Sequence, residues 1–219
     1  DGVIFVSIDD DEVHNLRKVM DEIYGEENFV AQIVWRKTDN QANIGNFARV
    51  KEYILMYSKN IEYLQLNQMK MTERAIKEYR YKDEVDFFRR KILLDKTRGK
   101  NYYKVITPSG NILNGPWMIK EDEFQKLNSE NCIYWAKGGD EQPYGKLYLK
   151  DKDGQIPNDF LGIEFGTNQE GGLEAEKLFE NKRLFDFPKP VSLIKHFLTI
   201  GTNEEDIILD FFAGSGTTA

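Results

Sequence analysis

The 219-residue chain carries 37 acidic and 30 basic residues, and its formal net charge of −7 excludes a molecule that holds nucleic acid through overall positive charge. Its single cysteine, Cys132, excludes an internal disulfide and a cysteine-built zinc site and reads as an inert thiol. No apolar run reaches membrane-spanning length and Asp1-Gly2-Val3 is no signal peptide, so the chain reads as soluble and cytoplasmic, one domain or one domain carrying an insertion. The charge is unevenly spread: residues 72–104 hold eleven bases and six acids, and residues 151–219 six bases and thirteen acids.

Residues 3–8 read Val-Ile-Phe-Val-Ser-Ile, a β-branched run that predicts a strand buried on both faces. Asp9 and Asp10 mark its end. There a carboxylate either faces a ligand crevice at the carboxyl edge of a doubly wound sheet or caps the following helix. Val13, Leu16, Val19, Met20 and Ile23 recur at helical spacing before Gly25, so the strand feeds a helix, half of a βαβ unit. Residues 29–35 and 52–58 predict an antiparallel pair of strands. The connection between them is too long for a tight turn, and its Arg36, Lys37 and Arg49 either meet phosphates or line a solvated loop.

Residues 72–91 are dense in Arg, Lys, Glu and Tyr with no clean apolar face, and predict an exposed helix. Within them Arg80, Lys82, Arg89, Arg90 and Lys91 alternate with Tyr79, Tyr81, Phe87 and Phe88. Such a mixture suits nucleic-acid contact, or equally a solvated helix with its aromatics turned inward. Residues 102–107 and 112–113 spell a hairpin around Pro108-Ser109-Gly110-Asn111, and residues 121–127 a brief helix. Residues 133–136 and 146–150 read as short strands flanking the turn-rich Lys137-Gly138-Gly139-Asp140. This block interrupts the βαβ rhythm and reads as an insertion.

Val191, Leu193, Ile194, Phe197, Leu198 and Ile200 predict an amphipathic helix started by Pro190. Lys189 precedes it at the positive end of the helix dipole, where a cation is disfavoured, so a local anion is expected beside it. Ile207, Ile208 and Leu209 predict a buried strand that delivers the acidic Asp210 to Gly214-x-Gly216-x-x-Ala219, a strand-to-helix turn whose glycines let a ligand reach the backbone. No lysine follows as in a phosphate loop. A nicotinamide-dinucleotide site is the alternative, requiring an acid about twenty residues further on.

The wording Asp210-Phe211-Phe212-Ala213-Gly214-Ser215-Gly216-Thr217-Thr218 resembles the S-adenosylmethionine motif of the N6-adenine and N4-cytosine DNA methyltransferases. Gly2-Val3-Ile4-Phe5-Val6-Ser7-Ile8-Asp9-Asp10 with Val13-His14-Asn15-Leu16, Trp35-Arg36-Lys37, and Glu52-Tyr53-Ile54-Leu55-Met56-Tyr57-Ser58-Lys59 widen that resemblance. So do Gly166-Thr167-Asn168-Gln169-Glu170-Gly171 and Phe187-Pro188-Lys189-Pro190. Together they resemble the modification subunit of type III restriction–modification systems.

The resemblance implies an α/β fold: a partial Rossmann-like S-adenosylmethionine-dependent core over 1–60 and 185–219, with an inserted α+β target-recognition region over 61–184. It implies methyl transfer from S-adenosylmethionine to adenine N6 of double-stranded DNA, in a homodimeric parent that works with a restriction subunit. The cofactor contacts it implies are Asp210, Phe211, Phe212, Ala213, Gly214, Ser215, Gly216 and Thr217, with Lys189, Pro190 and Asp9. The implied DNA contacts are Arg36, Lys37, Arg80, Lys82, Arg89, Arg90 and Lys91. The family's Asp-Pro-Pro-Tyr motif is not among these residues, whose six prolines form no adjacent pair. The family places that motif ahead of the cofactor motif, so the chain reads as a fragment with no catalytic residue of its own, inactive in isolation. A DNA-recognition fragment without enzymatic activity is the other reading. His14 and His196 have no acid or cysteine at ligand spacing, and no metal site is expected.

Overall fold

A computed structural model describes residues 2–40, 45–136, 142–180 and 182–219, so expectations placed on 41–44 and 137–141 lie outside the described residues. The chain divides into two compact units, Asp1–Met69 with Ile156–Ala219, and Lys70–Gln155.

The first unit begins with β1 (Val3–Ile8), followed by α1 (Val13–Tyr24). One carboxylate oxygen of Asp9 accepts the amides of Asp11 and Glu12 at 3.1 and 3.3 Å, leading the chain into the helix. Gly25 ends it at φ 86°, a left-handed conformation that favours glycine. Two strands follow, β2 (Phe29–Arg36) and β3 (Lys51–Ser58). Both β1 and β2 pair antiparallel with β3 and are therefore parallel to each other, so the expected βαβ unit is present with β3 lying between its strands.

The second unit opens with α2, which spans only Glu73–Ile76, and continues into β4 (Tyr81–Lys82) and β5 (Phe87–Ile92). The exposed helix expected over 72–91 is thus replaced by a hairpin. Its turn is closed by Asp83, whose Oδ1 accepts the amides of Val85 and Asp86 at 2.9 and 3.3 Å. The aromatic residues on either side then alternate: Phe88 is buried and Phe87 exposed. A small hairpin, β6 (Lys104–Ile106) and β7 (Ile112–Asn114), precedes α3 (Glu121–Ser129), β8 (Ile133–Trp135) and β9 (Pro143–Tyr148). Among the described residues the larger sheet runs β4-β5-β9-β8. Asp83 Oδ2 accepts from Lys146 Nζ at 2.7 Å and from the Tyr148 hydroxyl at 2.9 Å, fastening the turn to β9. A separate core gathers Leu93, Val105, Trp117, Phe124 and Ile133, with Tyr103 stacked on Trp117 at 5.1 Å.

The chain then returns to the first unit with β10 (Phe160–Leu161), α4 (Asn168–Leu178) and α5 (Val191–Gly201). β10 pairs parallel with β2, completing the order β1-β3-β2-β10. The second unit is therefore shorter than the block expected over 61–184, because β10 and α4 belong with the first.

Two apolar layers enclose this sheet. Val13 and Met20 of α1 pack with Leu55 and Tyr57 on one face. Leu193, Phe197 and Ile200 of α5 pack with Ile33, Trp35 and Ile54 on the other. β1 was expected to be buried on both faces but is half-buried, because it pairs on one edge only among the described residues. The strand expected at 207–209 is not formed: the segment is irregular and Ile207 is 96% exposed. An apolar run becomes a strand only where a neighbour takes its backbone N–H and C=O groups, and no described strand pairs with this one.

Candidate functional site

The first unit gathers several motifs at the ends of β2 and β3. Trp35 stands directly opposite Glu52 in the register. The Trp35 ring is fully buried, and its indole Nε1 donates to the Gly166 carbonyl at 2.9 Å. The Asn168 amide donates to the Lys37 carbonyl at 2.8 Å, tying the start of α4 to the end of β2. A capping box holds that start: Thr167 Oγ1 accepts the Glu170 amide at 3.2 Å while Glu170 accepts the Thr167 amide at 2.7 Å. Gly171 brings α4 against 188–190, since a Cβ there would collide with the Pro188 carbonyl oxygen. At the first turn of α5, Ser192 Oγ donates to the Phe165 carbonyl and the Val191 amide to Glu174, both at 2.8 Å.

The anion expected beside Lys189 is Glu52. Its carboxylate binds the Lys189 ammonium through one oxygen and, through the other, Lys37 Nζ at 3.1 Å. Lys189 also lies 5.1 Å from the Trp35 ring centroid. Next to this loop, a cavity of about 290 Å³ is lined by Asn168, Gln169, Leu173, Glu176, Phe187 and Pro188 among others. The Asn168 side-chain oxygen Oδ1 is buried with no hydrogen-bond partner among the described residues.

The glycine-rich segment keeps the backbone its sequence calls for: Gly214 and Gly216 take φ of 53° and 73°. Asp210 closes it, accepting the Phe212 amide at 3.1 Å and the Thr218 hydroxyl at 2.6 Å, while Ser215 and Thr217 pair through their hydroxyls. Phe211 and Phe212 are exposed. A Cβ on Gly216 would meet nothing within 4 Å, so the segment leaves room beside its backbone for a ligand. Among the described residues no hydrogen bond joins this segment to Lys189 or to Asp9, whose carboxylate is used at the entry to α1.

The expected DNA contacts separate into groups. In the first unit Arg36 pairs with Asp39 at 2.7 Å and Arg49 with Asp11 at 3.3 Å, exposed pairs of small energy. In the second unit, Arg80, Arg89 and Arg90 meet with Arg74 and Lys77 around a cavity of about 580 Å³, where Glu78 is the one acid among the described lining residues. Arg90 is flanked by the Tyr81 and Tyr144 rings at 4.7 and 4.4 Å, and Arg89 pairs with Glu78 at 3.1 Å. Lys82 and Lys91 stand apart from this cavity: Lys82 lies over the Phe87 ring and Lys91 faces Glu123 at 3.6 Å. Sequence reasoning passed over Arg74, Lys77 and Tyr144, which come together only once the hairpin is formed.

His196 is 6% exposed on α5, edge-on to Phe165 at 4.7 Å, and neither ring nitrogen has a partner among the described residues. Burial lowers its pKa below the usual 6.5, favouring the neutral ring. The unfolded chain therefore binds this proton more readily than the folded one. The stability present above pH 6.5 declines as pH falls through and below it, by up to about 1.4 kcal/mol per pH unit. Urea titrations at pH 7 and pH 5 are expected to show this loss, and His196→Phe to remove that part of it.

A DNA methylase family model matches residues 1–219, and the chain belongs to that family. Among curated relatives it is similar to the StyLTI Mod subunit of a type III restriction–modification enzyme from Salmonella typhimurium, at 34% identity over all of this chain and 34% of that protein. It is also similar to the EcoPI Mod subunit of Escherichia phage P1, at 31% identity over 39% of that protein. The type II methyltransferase M.KpnI of Klebsiella pneumoniae is 28% identical, with 57% of its length covered. The chain thus spans about a third to two-fifths of the type III relatives it matches. No helix among the described residues is long and apolar enough to cross a membrane, and no described cluster of His, Cys, Asp or Glu could hold a metal ion.

Proposed function

We propose that the protein carrying this chain is a site-specific DNA methyltransferase of a restriction–modification system, moving a methyl group from S-adenosylmethionine to adenine N6. The observation that carries this reading is the family match over the whole chain, joined by relatives named as type III Mod subunits. On this reading the first unit is part of a Rossmann-like core and the second belongs to a target-recognition region. A second copy of the chain and a restriction subunit are its protein partners.

The cofactor supplies an electrophilic methyl group on a sulfonium sulfur. Residues 210–217 would hold its nucleoside, with the open space beside Gly216 admitting it and the Asp210 carboxylate accepting from hydroxyls. Lys189, ahead of Pro190, would face the cofactor's carboxylate. None of the 219 residues forms Asp-Pro-Pro-Tyr, so the roles assigned to them are binding and orientation of the two substrates. Transfer of labelled methyl from S-adenosylmethionine to duplex DNA by the full-length protein, with the product nucleoside identified, tests the reading. N6-methyladenine is expected; N4-methylcytosine alone, or no transfer, would refute it.

The basic, aromatic-lined cavity of the second unit is the DNA-facing surface. The Arg90 guanidinium, flanked by two tyrosine rings, suits phosphate, because the rings orient the cation toward an incoming anion. Arg90→Ala is expected to weaken binding to mixed-sequence duplex and to reduce the slope of log affinity against log salt by about 1. An unchanged slope would remove Arg90 from the phosphate contacts.

A further inference from the structure

We propose that Glu52 is a positioning residue that couples a cofactor-side lysine to a DNA-side lysine, sharing one carboxylate between Lys189 and Lys37. The assignment of the two lysines to those ligands rests on the proposed function; the sharing is a matter of geometry. Three elements converge on this carboxylate. β3 supplies Glu52, the residue after β2 supplies Lys37, and the residue before the Pro190 N-cap of α5 supplies Lys189. The Glu52 side chain is only 12% exposed, whereas those of Lys37 and Lys189 are 23% and 25% exposed. Glu52 is thus the most enclosed of the three, while both lysine side chains remain partly exposed.

The charge balance makes the arrangement more than a brace. Two ammoniums against one carboxylate leave a net positive charge, and an ammonium has three donors, so each lysine can bind Glu52 and still receive an external anion. The described neighbours are Trp35, which presents its ring to Lys189 while its Nε1 is taken by Gly166, and Glu174, whose carboxylate accepts the Val191 amide. If Lys37 is removed, Glu52 falls wholly to Lys189 and the excess at Lys189 disappears. If Lys189 is removed, the same happens at Lys37. In a partly enclosed site, where charges a few ångströms apart interact by kilocalories rather than tenths, each ligand's affinity then depends on the distant lysine.

The test measures S-adenosylmethionine affinity of the full-length protein with Lys37→Met, in the presence of Glu52 and again combined with Glu52→Gln. The reciprocal arm measures mixed-sequence duplex DNA affinity with Lys189→Met in the same two backgrounds. With Glu52 present, each lysine change is expected to weaken the other site's ligand about fivefold, about 1 kcal/mol. With Glu52→Gln the effect is expected to fall below about twofold, the non-additivity of residues sharing one partner. A purely structural Glu52 would lower the unfolding midpoint while leaving the lysine effects equal in both backgrounds, and that result would overturn the proposal. So would a wild-type background in which neither lysine affects the other's ligand. Wild-type protein that binds no S-adenosylmethionine would refute the proposed function instead, and the DNA arm would then decide the coupling.

Discussion

Trp35→Ala is expected to cost about 3–5 kcal/mol of folding stability, the largest loss from any single truncation in the first unit. The indole is fully buried among Ile33, Ile54, Leu161, Leu193 and Phe197, where the sheet meets α5. Alanine would leave a cavity that two packed layers cannot easily close. It would also remove the donor from the Gly166 carbonyl and the aromatic face beneath Lys189. Trp35→Phe separates these terms, keeping most of the volume while leaving the carbonyl unpaired, and is expected to cost about 1–3 kcal/mol. Urea unfolding followed by circular dichroism reads both. A loss below about 1 kcal/mol for Trp35→Ala would mean that the layer between sheet and α5 is not packed as described.

The two adjacent glycines of α4 are expected to respond oppositely to alanine. At Gly171 a Cβ would strike the Pro188 carbonyl oxygen and lie 2.9 Å from the Pro190 nitrogen. Both are backbone atoms that no rotamer change moves aside. Either α4 or the 188–190 segment must shift, at a cost of about 3 kcal/mol, and Lys189 shifts with it. At Gly172 a Cβ would meet nothing within 4 Å, so alanine is expected to stabilise by about 0.5–1 kcal/mol through its better helix propensity. Unfolding midpoints of the two variants provide the check. Losses of equal size would show that the helix tolerates neither and that close approach is not the reason for Gly171.

Much of the first unit was readable because its signals are periodic. Val13, Leu16 and Met20 mark one face of α1, and Leu193, Phe197 and Ile200 one face of α5; both helices formed where expected. The stretch from 72 to 91 misled because its charges obscure a period of two. Arg90 lies on the same strand face as buried Phe88 and is held by tyrosine rings, so a cation occupies a position where pattern reading looks for an apolar residue. Residues 207–209 misled in the other direction, since an apolar run reports burial and strand tendency without supplying the neighbour a strand needs.

α4 had a legible start in Thr167-x-x-Glu170, a capping box, although its paired glycines weaken the helical signal behind it. Glu52 had no such signal. It lies 15 residues from Lys37 and 137 from Lys189, and only the folding of β3 against β2 beside α5 joins them. Gly214 and Gly216 take positive φ angles, whereas no described hydrogen bond joins their segment to Asp9 or Lys189, which the resemblance groups with it.

The central claim, that this DNA methylase chain belongs to an S-adenosylmethionine-dependent enzyme, is met most directly by calorimetric titration of the full-length protein with S-adenosylmethionine, with NAD as the control. Saturable heat with S-adenosylmethionine and none with NAD is the expected result, and Gly214→Val is expected to diminish it, because φ of 53° strains a β-branched residue at that turn. Saturable binding of NAD, or protein that is folded and binds duplex DNA yet gives no heat with S-adenosylmethionine, would contradict it.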